Sequence, residues 1–222
     1  MKSSSLGFSL KRLAPLLPVL LIMGCLFYRP VKSEGGKDTK PAGIYAVIEG
    51  RPARRSKEYV QLEIFSSFYC GHCYNFFGQE NTLGKKNKIK FVHIPIQWGD
   101  GSTKATEAYL IARDMGKGDE MRAKLFEAQF VENQDISDVK WLKKQASSLG
   151  LSKKFGEMLD SGVKAKEITD NLEMAHQLSI NETPTVIIGG NLIVIPRMTG
   201  GNMNVFIMNI DTIVDSLSKG LH

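Results

Sequence analysis

The chain contains 222 residues, of which 42% are hydrophobic and 23% are charged, and this balance excludes a long disordered or fibrous chain. The formal net charge is +6, but residues 1–40 carry +5 of it, so residues 41–222 hold 22 basic and 21 acidic residues, a net charge of +1. A nearly neutral folded part argues against nucleic acid as a partner, because phosphate binding needs a concentrated basic surface.

The first 28 residues are predicted to be a signal peptide or a membrane or lipid anchor. An apolar run extends from Leu13 to Tyr28, and it fits a secretory h-region better than a spanning helix of roughly 20 residues. The stretch Ile22-Met23-Gly24-Cys25 resembles a bacterial lipobox, which makes Cys25 a candidate lipidation site; the alternative is an incidental residue of a discarded leader. Both readings export the rest of the chain. We expect a periplasmic or extracytoplasmic location, either free or anchored through residues 13–28 or Cys25, where disulfides persist.

Residues 29–43 combine glycine, proline and scattered charges, which is typical of a flexible linker. The run from Tyr59 to Phe68 is rich in β-branched and aromatic residues and predicts a central strand. A helix is expected directly after it.

A Cys-x-x-Cys motif, Cys70-Gly71-His72-Cys73, lies where this strand should turn into the helix. The first sulfur would lie at the helix N-terminus, whose unpaired N–H groups and dipole favour a thiolate. A protonated or hydrogen-bonding His72 would favour that anion further. Cys73 is close enough to form a disulfide with Cys70 and to resolve a mixed disulfide. We therefore interpret Cys70, His72 and Cys73 as catalytic, with a redox-active disulfide and no other cofactor.

Two other readings of the cysteine pair remain open at this point. A structural zinc site would need further ligands, and a purely structural disulfide across so short a loop would be strained. One more cysteine exists, in the leader, and the four histidines show no ligand-like pairing, so no metal site is assigned: His72, His93, His176, His222.

The rest of the chain predicts one more strand, a helical region, a hairpin and a last helix. The strand covers Ile89 to Trp98, and strand, helix and strand together suggest parallel pairing. The runs from Thr183 to Ile188 and from Leu192 to Ile195, joined by Gly-Gly-Asn, predict the hairpin. Apolar residues at helical spacing predict the last helix over Met203 to Lys219.

The fold class is therefore α/β. Residues 44–98 and 180–222 form its core, and the helical region 99–179 interrupts this core as an insertion.

The residues Phe65 to Tyr74, a long helical segment and the sequence Glu182-Thr183-Pro184-Thr185-Val186 resemble the thioredoxin-fold disulfide oxidoreductases of the DsbA type. The resemblance covers roughly residues 44–219. It implies a thioredoxin-like core with an inserted α-helical domain, and a protein thiol-disulfide oxidoreductase that forms or exchanges disulfides in substrate proteins. It further implies that Cys70 is the nucleophile, that Cys73 resolves, and that Thr183 and Pro184 form a cis-proline loop that binds extended substrate.

Within this family, several features leave open whether the protein acts as an oxidase, an isomerase or a reductase. The dipeptide Gly71-His72 is similar to that of protein disulfide isomerases, and Thr183 before the proline is similar to the isomerase and reductase branches. Many proteins of this fold also carry a buried acid six residues before the first cysteine, whereas Glu63 lies seven before Cys70. Because one residue along a strand exchanges faces, Glu63 is either a proton-relay acid beside a bulged turn or an ordinary strand charge.

The expected partners follow from this reading. The substrates would be unfolded or reduced exported proteins, and a membrane redox partner would recycle the cysteine pair. We expect a monomer, because no dimerisation segment lies between leader and core. Two alternatives from other classes are a copper- or zinc-binding thioredoxin-like module and a redox-linked holdase.

Overall fold

The computed structural model describes residues 40–54, 56–86, 88–99 and 101–220. The predicted leader with residues 13–28 and Cys25, and most of the predicted linker, lie outside these residues. The described part contains a five-stranded sheet in the order β1-β5-β4-β2-β3. Its strands are β1 (Ala46–Val47), β2 (Val60–Ser66), β3 (Ile89–Pro95), β4 (Thr185–Ile188) and β5 (Leu192–Val194).

Helices surround this sheet and fill the chain between β3 and β4. They are α1 (Gly71–Lys86), α2 (Lys104–Asp114), α3 (Gly118–Phe130), α4 (Val139–Ser148), α5 (Lys153–Ser161), α6 (Ala165–Gln177) and α7 (Met203–Lys219), with a 3₁₀ turn at Pro196–Thr199. No helix among the described residues combines the length and the apolar character needed to cross a membrane. The structure thus has the predicted α/β class, with the helices α2–α6 inserted into the core.

The central strand is β2, because both of its edges are paired. It pairs in parallel with β3 and antiparallel with β4. Since side chains alternate along a strand, Val60, Leu62 and Ile64 point to one face, where they pack with residues of α1 and α7. Phe65 points to the other face and packs with residues near the C-terminus of α6. This two-sided burial explains the nearly continuous apolar sequence of β2.

The predicted hairpin and last helix are confirmed. Strands β4 and β5 pair antiparallel across Gly189 and Gly190, whose φ angles of 57° and 88° are readily adopted by glycine. Helix α7 begins after Asn202, whose side-chain oxygen accepts hydrogen bonds from the backbone N–H groups of Asn204 and Val205. This cap satisfies two of the donors that a helix start leaves unpaired.

Strand β1 was not predicted, and it lies directly after the predicted linker. Ala42 N–H donates to Ser216 Oγ at 2.9 Å, and Ile44 exchanges hydrogen bonds with the Asn209 side chain of α7. A Cβ on Gly43 would lie 2.5 Å from Ile213 Cγ1. Ala42 and Gly43, which the sequence assigns to the linker, therefore dock on α7.

Helix α1 lies where two hydrophobic clusters meet. Cys73 packs with residues of the inserted helices, together with Phe68 from the end of β2. Phe76, one turn later, packs on the sheet and contacts Phe206 of α7 with ring centroids 5.9 Å apart. The helix that carries the cysteine motif is thus held by both the core and the insertion.

Candidate active site

Cys70 is the residue that immediately precedes α1. Its backbone N–H donates to Ser67 O at 3.2 Å, and its carbonyl accepts the first helical hydrogen bond from Tyr74 N–H at 3.1 Å. The residue therefore occupies the N-cap, where its side chain faces backbone N–H groups of the first turn. Cys70 is partly exposed, Cys73 is buried, and both are free thiols in this structure.

The surroundings of Cys70 stabilise its thiolate. The pKa of Cys70 is lowered from 9.0 to about 5, first by a hydrogen bond from the Cys73 side chain. Partial burial opposes this shift, while hydrogen bonds with the Thr183 side chain and from the backbone N–H groups of Cys73 and His72 add to it. A thiol with this pKa is almost fully ionised at neutral pH and is a competent nucleophile and leaving group.

Cys73 has the opposite environment. It is 2% exposed, and burial, followed by the hydrogen bond and the charge of Cys70, raises the pKa of its thiol far above the ordinary value of 9.0. The neutral Cys73 thiol can therefore donate a hydrogen bond to the Cys70 sulfur while it keeps its own proton. The reduced pair carries a single negative charge, and this charge lies on the partly exposed sulfur of Cys70.

The loop before β4 lies against Cys70. The Thr183–Pro184 peptide bond is cis, and the neutral Cys70 thiol donates to the Thr183 carbonyl oxygen at 3.2 Å. A thiolate cannot make this bond, so ionisation of Cys70 frees the carbonyl oxygen to accept a different donor. Thr183 is half-buried and Pro184 is buried, which leaves Thr183 as the part of the loop within reach of a substrate.

His72 is exposed, at the second position of α1. Its backbone N–H is among the groups that lower the pKa of Cys70. The contribution of its imidazole to the thiolate stays a prediction.

Glu63 is not brought to the cysteines. It is 4% exposed and lies on the face of β2 opposite to the one that packs on α1, as the strand alternation around Leu62 and Ile64 requires. Its carboxylate pairs with Arg51 at 2.5 Å and with Arg54 at 3.8 Å. Of the two readings of Glu63, these contacts favour the strand charge: Glu63 is a buried ion-pair partner of the segment that precedes β2.

A second polar cluster, which the sequence analysis did not predict, lies farther along α1. It joins Glu80 of α1, His93 of β3 and Arg122 of α3, with Arg122 Nη1 at 2.8 Å from Glu80 Oε2 and at 2.7 Å from His93 Nε2. The signal that could have indicated it is Arg122 itself, which shares one helical stripe with Phe126 and Phe130. The side chain of His93 is 11% exposed.

Nothing in the described residues gathers three or more His, Cys, Asp or Glu side chains in a way that could hold a metal ion. The two cysteines and the Thr183 loop lie together at the motif, and this arrangement suits sulfur exchange.

Comparisons with known proteins agree with this fold. The model of the DSBA-like thioredoxin domain matches residues 81–208, more than half of the chain, and the match begins after the cysteine motif. A comparison with curated protein sequences finds no match.

Three solved structures share the fold. A variant of DsbA from Pseudomonas aeruginosa has 16% identity and a TM-score of 0.65, over 80% of this chain and 97% of that one. The oxidoreductase DsbA from Xylella fastidiosa has 18% identity and a TM-score of 0.62, over 78% and 94%. The DsbA disulfide interchange protein from Klebsiella pneumoniae has 21% identity and a TM-score of 0.61, over 82% and 99%.

At these identities the solved structures support the fold, while the family model covers the chain from within α1 to within α7. The chain therefore belongs to the DsbA-like thioredoxin domain family of thiol-disulfide oxidoreductases.

Proposed function

We propose that this protein is an exported thiol-disulfide oxidoreductase that forms or exchanges disulfides in substrate proteins through Cys70 and Cys73. The observation that carries the proposal is the asymmetry of the two sulfurs. One is partly exposed at a helix start with a pKa of about 5, and the other is buried and stays protonated. A pair that serves only to stabilise a fold has no need of such an asymmetry, whereas sulfur exchange depends on it.

The chemistry proceeds in two exchanges. In the oxidised protein, a substrate thiolate attacks Cys70 Sγ, the bond to Cys73 Sγ breaks, and Cys73 leaves with the electron pair and takes up a proton. A second substrate thiolate then attacks the substrate sulfur of the mixed disulfide, and Cys70 leaves as the stable thiolate. The substrate loses two electrons and gains a disulfide, while the enzyme becomes reduced.

The Thr183 loop supports a role in holding the substrate chain. When Cys70 is a thiolate or is bonded to substrate, the Thr183 carbonyl oxygen can accept a backbone N–H from an extended polypeptide beside the sulfur. His72 contributes its backbone N–H to the thiolate. Reduced or unfolded exported proteins are the proposed substrates, and a membrane redox partner that withdraws two electrons would restore the Cys70–Cys73 disulfide.

The test compares two cysteine variants on a reduced, unfolded substrate protein. Cys70→Ala should abolish disulfide formation and exchange, because no accessible sulfur remains. Cys73→Ala, the matched control, is given the same substrate protein in its disulfide-bonded form. The Cys70 thiolate should attack a substrate disulfide, release one substrate thiolate and accumulate as a mixed disulfide that no second sulfur resolves, visible as a reducible adduct by mass spectrometry. Turnover by Cys70→Ala at the parent rate would reject the proposal.

The direction of transfer is decided by a second measurement. A readily reduced disulfide favours a disulfide donor, whereas a couple that resists reduction, like that of thioredoxin, favours a reductase. Equilibration against a glutathione series separates these outcomes, and the low pKa of Cys70 leads us to expect an oxidising couple, because a stabilised thiolate stabilises the reduced form.

A further inference from the structure

The aromatic side chains beside the redox pair belong to two antiparallel helices. Residues of α1 at intervals of three, namely Gly71, Tyr74, Phe77 and Glu80, face residues of α3 at intervals of four, namely Phe130, Phe126 and Arg122. Phe130 stacks on Tyr74 with centroids 5.1 Å apart and planes 15° apart, and Phe126 lies 5.2 Å from Phe77. Rows with these two spacings interlock when helices pack.

Phe130 forms the end of this contact that lies at the cysteines. A Cβ placed on Gly71 would be 3.8 Å from the Phe130 ring, so the ring borders the residue that follows Cys70. The next residue, Val131, is 60% exposed, and Tyr69 on the other side of Cys70 is 38% exposed. Phe130, Val131 and Tyr69 thus border Cys70, and we call this surface the apolar wall. A polypeptide joined to Cys70 would contact it.

The other end of the contact is the ionic cluster. The Arg122 guanidinium lies 4.8 Å from the centroid of the Phe77 ring, and its Nη1 contacts both carboxylate oxygens of Glu80, at 3.0 and 2.8 Å. The same nitrogen reaches His93 of β3 at 2.7 Å. Side-chain exposures of 9% for Arg122, 8% for Glu80 and 11% for His93 show that all three are almost excluded from water.

Further polar groups surround the cluster from the same helix and from α2. Asp119 of α3 accepts from Arg122 Nη2 at 3.3 Å and is itself exposed. Tyr109 and Arg113 approach from α2: the charges of Arg122 and Glu80 act on the Tyr109 hydroxyl, as does that of Arg113. The charged cluster therefore ties α1, β3 and α3 together at one point.

The ionic cluster of Arg122, Glu80 and His93 is better suited than the aromatic contacts to fix the register of α3 against α1. Aromatic and aliphatic contacts are weakly directional, and one helical turn of sliding exchanges one such contact for another about 5.4 Å away. The same movement would leave a buried carboxylate and a buried guanidinium unpaired, which is strongly unfavourable.

On this basis, which rests on the proposed function, we propose that Arg122 is a positioning residue. Through its contacts with Glu80 and His93 it fixes the register of α3 against α1, and thereby places Phe130 in the wall that contacts the substrate chain. It does so from about 12 Å along α3, the length of eight helical residues.

The experiment is a double-mutant cycle between Arg122→Met and Phe130→Ala, read on the rate at which the oxidised protein is reduced. A cysteine-containing peptide with apolar flanking residues reports contacts with the wall, and dithiothreitol reports the disulfide alone. Arg122→Met should raise KM for the peptide at least about threefold, with the dithiothreitol rate and the Cys70 titration unchanged. Arg122→Lys should restore part of the loss. Lys117→Met, which removes a cation from the residue that precedes the same helix, at its exposed pair with Glu120, is the matched control.

In the Phe130→Ala background, Arg122→Met should have no further effect on the peptide KM, because the group through which it acts is gone. Substitutions about 12 Å apart normally have multiplicative effects, so multiplicative effects, or an unchanged KM in Arg122→Met alone, would overturn the proposal. A direct structural measurement separates this outcome from failure of the proposed function. The ring resonances of Tyr74 should shift in Arg122→Met and stay in place in Lys117→Met, even if no peptide is turned over, and unshifted resonances in both variants would also overturn it.

Discussion

The proposed chemistry depends on the thiolate of Cys70, and the lowered pKa of this group corresponds to a free energy that favours the charged form. A pKa of about 5 in place of 9.0 corresponds to about 5 kcal/mol in favour of the charged form. Because the sulfur is partly exposed, water and salt screen part of these interactions. We expect about 2–3 kcal/mol to be realised, which for a two-electron couple makes the disulfide about 50 mV more oxidising.

The perturbation is removal of the Cys73 thiol, the largest cause of the lowered pKa of Cys70. In Cys73→Ala the Cys70 sulfur loses its side-chain donor, and the absorbance of the thiolate at 240 nm should titrate at least about one pH unit higher than in the reduced parent. Cys73→Ser keeps a donor of similar size and should titrate between the two. A parent midpoint near 9, or a Cys73→Ala midpoint equal to that of the parent, would refute this reasoning.

The same shift gives a dependence of stability on pH. Because the pKa of Cys70 is lower in the folded protein, the thiolate contributes stability that is fully present above about pH 9 and is lost as the pH falls through about 5. The free energy of unfolding of the reduced protein, measured in denaturant relative to Cys70→Ser, should therefore increase from pH 5 to pH 9. A constant difference over that range would contradict the assigned environment.

Three further predictions concern residues away from the sulfurs. Glu63→Gln should lower the free energy of unfolding by about 3 kcal/mol, because Arg51 loses its buried partner, and should leave the Cys70 titration unchanged. Gly190→Ala should destabilise the fold by about 1–3 kcal/mol in thermal or denaturant unfolding, because φ is +88° and an added Cβ would lie 2.9 Å from backbone atoms of the loop before β2. Burial raises the pKa of Glu80 to about 7, so its contribution is lost as the pH rises from 4.5 through 7. Burial, with the charge of Arg122, lowers the pKa of His93 to about 3, so its contribution is lost as the pH falls below 6.5. The two effects oppose each other between pH 4.5 and 6.5, and Glu80→Gln should expose a loss of stability on acidification that the parent lacks.

Elements with a local signal could be predicted from the sequence. Strand β2 has a β-branched apolar run, the hairpin has its paired glycines, and α7 has apolar residues at helical spacing over Met203–Lys219. The position of Cys70 at a helix start followed from the same kind of signal, since a strand and a helix meet there.

Elements that depend on partners distant in the sequence could not be predicted in this way. Strand β1 has two residues, and its pairing with β5 joins Ala46 to Ile193, so nothing local distinguishes it from a linker. The face of Glu63 depended on one residue of register, and Arg51, its partner, lies in an irregular segment. The contact of Arg122 with Glu80 exists only because α3 returns along α1.

The unequal properties of the two sulfurs follow from where the fold places the start of α1. Cys70 lies before the first helical turn, at the boundary between sheet and insertion, so it meets backbone N–H groups on one side and solvent on the other. Cys73 lies in that first turn and points into the cluster formed with the inserted helices and Phe68. Its burial keeps it protonated, and its proton in turn stabilises the Cys70 thiolate. The insertion therefore acts on the reactive sulfur through Cys73, because the apolar side chains that bury one thiol make it the donor for the other.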